Sequence, residues 1–419
     1  MATKPFPRRS PSRYSLMLVL LLTLVGILGG CGASSTAGPS HPTGSTATST
    51  KTGELKGTIS EFPLPSPHLY PGGIMTGPDG NLWFTESVNN GCQSGKIGRI
   101  TPAGKVSEFS LLSDSVASGI MTGPDGNLWF TESACVKGQS GKIGRITPSG
   151  MISEFSLPSN SDPGNITMGS DHALWFTEYG INNQNSKIGR ITTTGTISEF
   201  SLPTPNFYPF GITAGPDGNL WFLESDANNK NFKIGRITTA GTISEFAVPA
   251  TLSQLSSITS GPDGNLWFVA LDYNKFKGVI GRITTTGTIS QFLLLTPSYH
   301  SYAITSGPDG NLWFSEADLD GWNNRIGRIT PSGTISEFPV PERISSAYGI
   351  IAGSDGNLWF IEDPANHSQS DKIERITPAG KITEFPLPNL GTVPGNITVG
   401  PDGNIWFTEM NSNKIGSLA

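Results

Sequence analysis

Apolar and polar residues follow one recurring order along most of this chain. A Gly-Pro-Asp-Gly-Asn turn leads into a continuous Leu-Trp-Phe run, then a polar loop and an alternating Lys-Ile-Gly-Arg-Ile segment. A Thr-Pro-Ala-Gly turn and an Ile-Ser-Glu-Phe segment complete the unit. The Trp of this pattern stands at 83, 129, 175, 221, 267, 313, 359 and 406, a spacing of 46 residues six times and then 47. In the first unit the pattern predicts strands over Gly73–Thr76, Asn81–Glu86, Lys96–Thr101 and Lys105–Leu111. The unbroken apolar run of the second is expected of a strand covered on both faces. Proline presets φ in the two turns, and glycine takes their positive-φ position. Four short strands at this period describe a propeller blade. A solenoid would need distinct capping units at both ends.

The two ends point to a closed ring. An orphan Ile59–Phe62 segment precedes the first unit, and the eighth stops after its third strand, at Lys414–Ala419. Pairing the two supplies the missing strand and removes two open edges. The expected fold is therefore all-β: an eight-bladed β-propeller of four-stranded antiparallel blades over residues 57–419, with an N-terminal strand completing the last blade.

Composition agrees with this and excludes other classes. Of 419 residues, 52 are Gly and 32 are Pro, which the repeated turns and linkers absorb. Charged residues make up 14%, against roughly 25% in ordinary globular chains. With 27 Lys and Arg against 33 Asp and Glu, no basic nucleic-acid surface is expected. Residues 1–30 carry Lys4, Arg8, Arg9 and Arg13 but no acid, then an apolar run from Leu16 to Leu28. That run is short for a membrane span and has signal-peptide flanks. It ends in Leu28-Gly29-Gly30-Cys31, the form of a bacterial lipobox whose cysteine is lipidated. Residues 31–56 are rich in Ser, Thr, Gly and Pro and read as a tether. The expectation is a monomeric extracytoplasmic lipoprotein held to a bacterial membrane by its anchor.

The two rims of such a ring would differ. The Gly-Pro-Asp-Gly-Asn and Thr-Pro-Ala-Gly turns are nearly identical in all units and share one face. The loops between second and third strands, and the interblade linkers, lie on the other face and vary, so recognition is expected there. Seven second strands end in Glu (86, 132, 178, 224, 316, 362 and 409), each opposite a basic residue opening the third strand. Blade five alone loses both, at Ala270 and Val279. Joint loss predicts cross-strand ion pairs such as Glu86–Lys96, a structural role. With Cys31 assigned to lipidation, Cys92 and Cys135 fall in equivalent loops of adjacent blades. A disulfide and two thiols both remain open, the oxidising compartment favouring the former. The five histidines (41, 68, 172, 300 and 367) have no metal-ligand spacing.

The repeat GPDGNLWFTE, KIGRIT, ISEF resembles the virginiamycin B (streptogramin) lyase family over all of residues 57–419. The resemblance implies a seven-bladed β-propeller that opens cyclic streptogramin B antibiotics by elimination at the ester linkage, supported by bound Mg²⁺ and histidine acid/base chemistry. It places the catalytic histidines immediately before the Gly-Ile or Ala-Ile of an inner strand. The eight equivalent slots here hold Gly72, Ser118, Gly164, Phe210, Ser256, Tyr302, Tyr348 and Gly395. None offers a base titrating near neutrality, so the catalytic and metal-binding residues stay unknown. His300 and His68, on interblade linkers, are the remaining acid/base candidates, with Mg²⁺ required only if the lyase reaction operates. The same face carries aromatic residues suited to a ligand pocket, Tyr70, Tyr208, Phe210, Tyr299, Tyr302 and Tyr348, with Phe207 beside them. Covering the interblade core is their alternative role. Three functions stay open: binding of a small organic, peptide or glycan ligand; metal-assisted lyase activity; and a protein–protein scaffold.

Overall fold

The computed structural model describes residues 57–419 except 89–94, 137, 181–184, 297–298, 319–323, 342–344 and 365–369. For Tyr299, His300, Asp318, Ser345, Ser346, Tyr348 and Pro364 it describes the backbone alone. The described residues form strands and turns without a helix, in eight antiparallel sheets. Blade one runs Leu69–Thr76, Leu82–Val88, Lys96–Ile100 and Val106–Ser110, in that spatial order from axis to rim. Successive innermost strands pack against one another around the ring. The expected eight-bladed propeller is therefore the observed one.

Closure also follows the expected route. Ile59–Pro63 pairs antiparallel with Lys414–Leu418, with Ile59 opposite Leu418 and Phe62 opposite Ile415. The backbone N–H groups of Gly57 and Thr58 donate to the carbonyl of Ala419 at 2.8 and 3.2 Å. Phe62 then stacks on Trp406 at 5.7 Å between ring centroids. The same Trp–Phe stack recurs within the other blades, as in Trp83–Phe109 and Trp221–Phe246. The N-terminal strand thus supplies blade eight with both its edge hydrogen bonds and its outer aromatic ring.

Each residue of the repeat has an identifiable physical task. The eight tryptophans of the repeat are fully buried, so each indole N–H needs an acceptor. The turn aspartate provides it: Trp83 Nε1 donates to Asp79 Oδ1 at 2.9 Å, and Trp406 Nε1 to Asp402 Oδ1 at 3.1 Å. The Arg of the third strand covers the stack, Arg99 lying 5.4 Å from the Trp83 ring and 5.5 Å from that of Phe109. Its Nη1 reaches the neighbouring blade and donates to the Pro148 carbonyl at 2.7 Å. Gly98 lies directly opposite Phe84. A Cβ there would stand 2.1 Å from the Phe84 ring, so glycine is required for contact between these strands.

The innermost strands are longer than the sequence pattern indicates. In blade one the strand begins at Leu69, and the register shifts between Pro71 and Ile74. That bulge lets the proline-containing linker join the ladder, and it positions the slot residues described next.

Candidate functional site

Seven of the eight slots lie in or beside the bulges of the innermost strands, and the slot of blade five lies in a break of its first strand. In blades one, two, three and eight, the threonine of the second strand supports the bulge. Thr85 Oγ1 accepts from Gly73 N at 3.1 Å, Thr131 Oγ1 from Gly119 N at 3.0 Å, Thr177 Oγ1 from Asn165 N at 3.0 Å and Thr408 Oγ1 from Asn396 N at 2.9 Å. Thr85 Oγ1 also donates to the Ser118 carbonyl of the next blade at 3.3 Å. One side chain thereby satisfies the displaced N–H and links two slots.

Blades four and seven replace that threonine with Leu223 and Ile361. Neither can accept a hydrogen bond, and the bulge tightens. Phe210 pairs directly with Leu223, and Tyr348 with Ile361. The following glycines take left-handed backbone angles, Gly211 at φ 55° and Gly349 at φ 49°. Blade five carries Val269, and its first strand is broken into Leu252–Ser253 and Ile258–Ser260. There Ser256 Oγ donates to the Tyr302 carbonyl at 3.2 Å. The aromatic slots Phe210 and Tyr348 therefore coincide with the loss of the threonine support, and Tyr302 with its shortening to Ser315. The repeat comparison contained this signal, but it needs the bulge geometry to acquire meaning.

The aromatic candidates are distributed around the ring. Tyr70 is half-buried on blade one, opposite Ser87. Tyr208 and Phe210, also half-buried, lie two residues apart on blade four. Phe210 packs against the hydrophobic core shared with blade five. Burial first, and then the Asp226 carboxylate, raise the Tyr208 phenol above its ordinary range. Phe207 falls one residue out of that alternation, and the Lys233 ammonium sits 4.7 Å from its ring centroid. Tyr302 is half-buried on blade six. Tyr299 and His300 open the same strand, paired with Asp318 and Ala317. Tyr348 is on the adjacent blade seven. His68 is exposed in the turn before the first strand of blade one. Blades six and seven are thus neighbours in this set, with blades four and one farther round the ring. Cys31 and Cys92 lie outside the described residues, so the lipidation and disulfide expectations do as well. Cys135 is half-buried in its loop.

One sequence expectation is corrected. Glu86 stands opposite Lys96 in the ladder, yet the Lys96 ammonium binds Glu108 of the outer strand at 2.6 Å. Lys142 binds Glu154 at 2.7 Å, Arg325 binds Glu337 at 3.4 Å, Lys187 binds Glu199 and Lys233 binds Glu245. Among the described residues, blade seven alone brings the base within reach of the second-strand acid, Lys372–Glu362 at 3.5 Å. The outer-strand acid is partly exposed and also collects donors from the interblade linker. Ser66 donates to Glu108 through its backbone N at 3.0 Å and its Oγ at 2.6 Å. The second-strand glutamates are fully buried, where ionisation is costly. Burial pushes Glu86 and Glu224 up to about 8, and Glu132, Glu178 and Glu409 to about 7. The sequence carries the matching signal: blade five lacks the outer acid too, with Gln291 in its place.

Beside Glu132, Ser115 donates to Oε2 at 2.5 Å. Ser113, Asp114, Gln139 and Lys142 help enclose a cavity of about 20 Å³ there, room for a single water.

The virginiamycin B lyase family model matches residues 43–183, 135–370 and 303–419. The fold is similar to a catalytically inactive histidine-to-alanine variant of virginiamycin B lyase from Staphylococcus aureus with quinupristin. The identity is 33%, over 86% of this chain and 99% of that one, with a TM-score of 0.56. Selenomethionine-substituted virginiamycin B lyase from the same organism is 38% identical over 72% of this chain and 94% of that one, with a TM-score of 0.55. A streptogramin B lyase structure is 31% identical over 86% and 97%, with a TM-score of 0.54. No curated protein matches the sequence. With the family model spanning the whole propeller, the chain belongs to the virginiamycin B lyase family.

Proposed function

We propose that this chain is a binding member of the lyase family, recognising a small organic, peptide or glycan ligand at its variable-loop face. The observation that carries this reading is the content of the eight slots. Where the family resemblance calls for histidine, the chain has Gly, Ser, Phe and Tyr. Histidine-dependent Mg²⁺ chemistry does not fit that donor set, which offers hydroxyls and aromatic rings but no imidazole.

The positive case for binding rests on blades four, six and seven. Phe210, Tyr302 and Tyr348 occupy slots there, and aromatic surface beside a few hydroxyl and amide groups is the usual material of an organic-ligand site. The lipobox at Cys31 and the residues that follow it support an extracytoplasmic lipoprotein tied to a bacterial membrane, with the propeller meeting ligand outside the cytoplasm.

The test uses residues 57–419, whose ring closes within itself. This protein is incubated with a streptogramin B and Mg²⁺ and sampled by chromatography, because an isomerising elimination leaves mass unchanged. Calorimetry on the same samples measures binding. Retained binding without a linear product is expected. Metal-dependent conversion abolished by His300→Ala or His68→Ala would overturn the binding reading in favour of lyase activity. Capture of a protein partner with no response to any small ligand would favour a scaffold.

A further inference from the structure

We propose that blade seven holds a hard divalent cation between Glu362, Glu374 and Glu384. Blade seven departs from the repeat at the glycine that faces the second-strand Phe. Seven blades keep Gly98, Gly144, Gly189, Gly235, Gly281, Gly327 and Gly416, whereas blade seven has Glu374. At Gly98 even a Cβ would stand 2.1 Å from Phe84 and 2.8 Å from the Glu86 carboxylate. Seven blades fold with nothing at this position, so the fold itself does not require the extra acid.

Glu374 is fully buried, no N–H or hydroxyl group donates to either of its carboxylate oxygens, and the Glu362 carboxyl is the side chain within hydrogen-bond reach of it. The ladder sets it between Phe360 and Glu384. One oxygen each from Glu362, Glu374 and Glu384 come within 4.8 Å of one another. The described cation at this point is Lys372, 3.1 Å from Glu384 and 3.5 Å from Glu362. Burial favours a shared proton on this cluster when it is empty; with the three acids ionised around an ion, one ammonium offsets one of three carboxylates and a single divalent ion matches the remaining charge. Carboxylate oxygens alone suit Ca²⁺ or Mg²⁺ rather than a softer metal. Glu384 is a third exposed at its side chain (33%), so an ion could enter from that side and keep part of its water shell. This cluster lies within the blade-seven sheet, where Glu362 stands opposite Ala347, the residue before the Tyr348 slot; it is argued from the three acids alone and does not depend on the ligand proposed for the variable-loop face.

The experiment titrates chelator-stripped residues 57–419 with CaCl₂, and separately with MgCl₂, by calorimetry. One site is expected, together with a rise in melting temperature on metal addition. Glu374→Gly restores the residue that seven blades tolerate, and Glu374→Gln keeps the side-chain volume. Each should fold and weaken binding by roughly 100-fold, on the scale of altered metal sites, and each should lose the metal-dependent thermal shift. Absence of saturable binding by either ion, with Glu362 and Glu374 sharing a proton instead, would overturn the proposal. Binding that survives both variants unchanged would overturn it as well.

Discussion

Lys96 lies opposite Glu86 in the ladder, yet its ammonium binds Glu108, 2.6 Å away on the next strand. Register determines which residues are neighbours, but solvation decides which carboxyl keeps its charge. Glu108 can remain ionised because it is partly exposed and receives Ser66 donors. Glu86 is enclosed, and its neutral form needs no counter-ion.

This relationship predicts the result of a double-mutant cycle. Lys96→Ala combined with Glu108→Ala should show a coupling of about 0.5–1 kcal/mol, the range for a partly screened pair. Lys96→Ala combined with Glu86→Gln should show coupling near zero. Urea denaturation of the single and double variants measures both, and the reverse ordering would refute the pairing.

A pH dependence follows from the same buried acids. Glu86, Glu132, Glu178, Glu224 and Glu409 titrate near 7 to 8 when folded, against an ordinary value of 4.5. The folded state therefore holds protons that the unfolded chain releases, and stability is greatest below the unfolded value. It falls as pH rises from about 4.5 through 8, by up to ~1.4 kcal/mol per pH unit for each fully contributing glutamate. Glu108, Glu199 and Glu245 act oppositely. Despite the opposing effect of burial, their lysine and linker hydrogen bonds lower them below 4.5, so their contribution is lost in acid. Urea midpoints should peak near pH 5 and decline toward pH 8, with a shallower decline in Glu86→Gln. A midpoint rising from pH 5 to pH 8 would contradict buried, neutral glutamates.

Features that repeat were legible in the sequence, and those that depend on solvation or backbone detail were not. Eight tryptophans at a fixed period and an orphan Ile59–Phe62 segment were enough to give the blade number and the closing strand. The aspartate of each turn looked like turn chemistry alone, whereas the structure adds its bond to the buried indole of Trp83. Joint loss of the acid and the base at Ala270 and Val279 suggested a pair, but Gln291 was the informative third change. At the slots, the absence of histidine was readable directly. The link between Phe210 and the loss of threonine at Leu223 required knowing that a hydroxyl holds the bulge.

That link gives a prediction connecting backbone to site. Gly211 sits at φ 55°, and an added Cβ would make only ordinary van der Waals contact, with Ile258 and Leu223 each 3.9 Å away. Gly119, the equivalent residue of blade two, has no positive φ, and Thr131 supports its N–H. Gly211→Ala should therefore cost about 1 kcal/mol through left-handed backbone strain alone. The strain can be relieved if the bulge widens toward the form of blade two, which would uncouple Phe210 from Leu223. A second change, Leu223→Thr, supplies the hydroxyl that the wider bulge uses. Leu223→Thr alone should destabilise, because it places a hydroxyl where the tight bulge offers it no N–H. The pair should then cost less than the sum of the two single changes. Equilibrium unfolding measures this non-additivity, and intrinsic fluorescence with an aromatic ligand reports whether the Phe210 ring has moved. Simple additivity would show that the two bulge forms do not depend on the residue at 223.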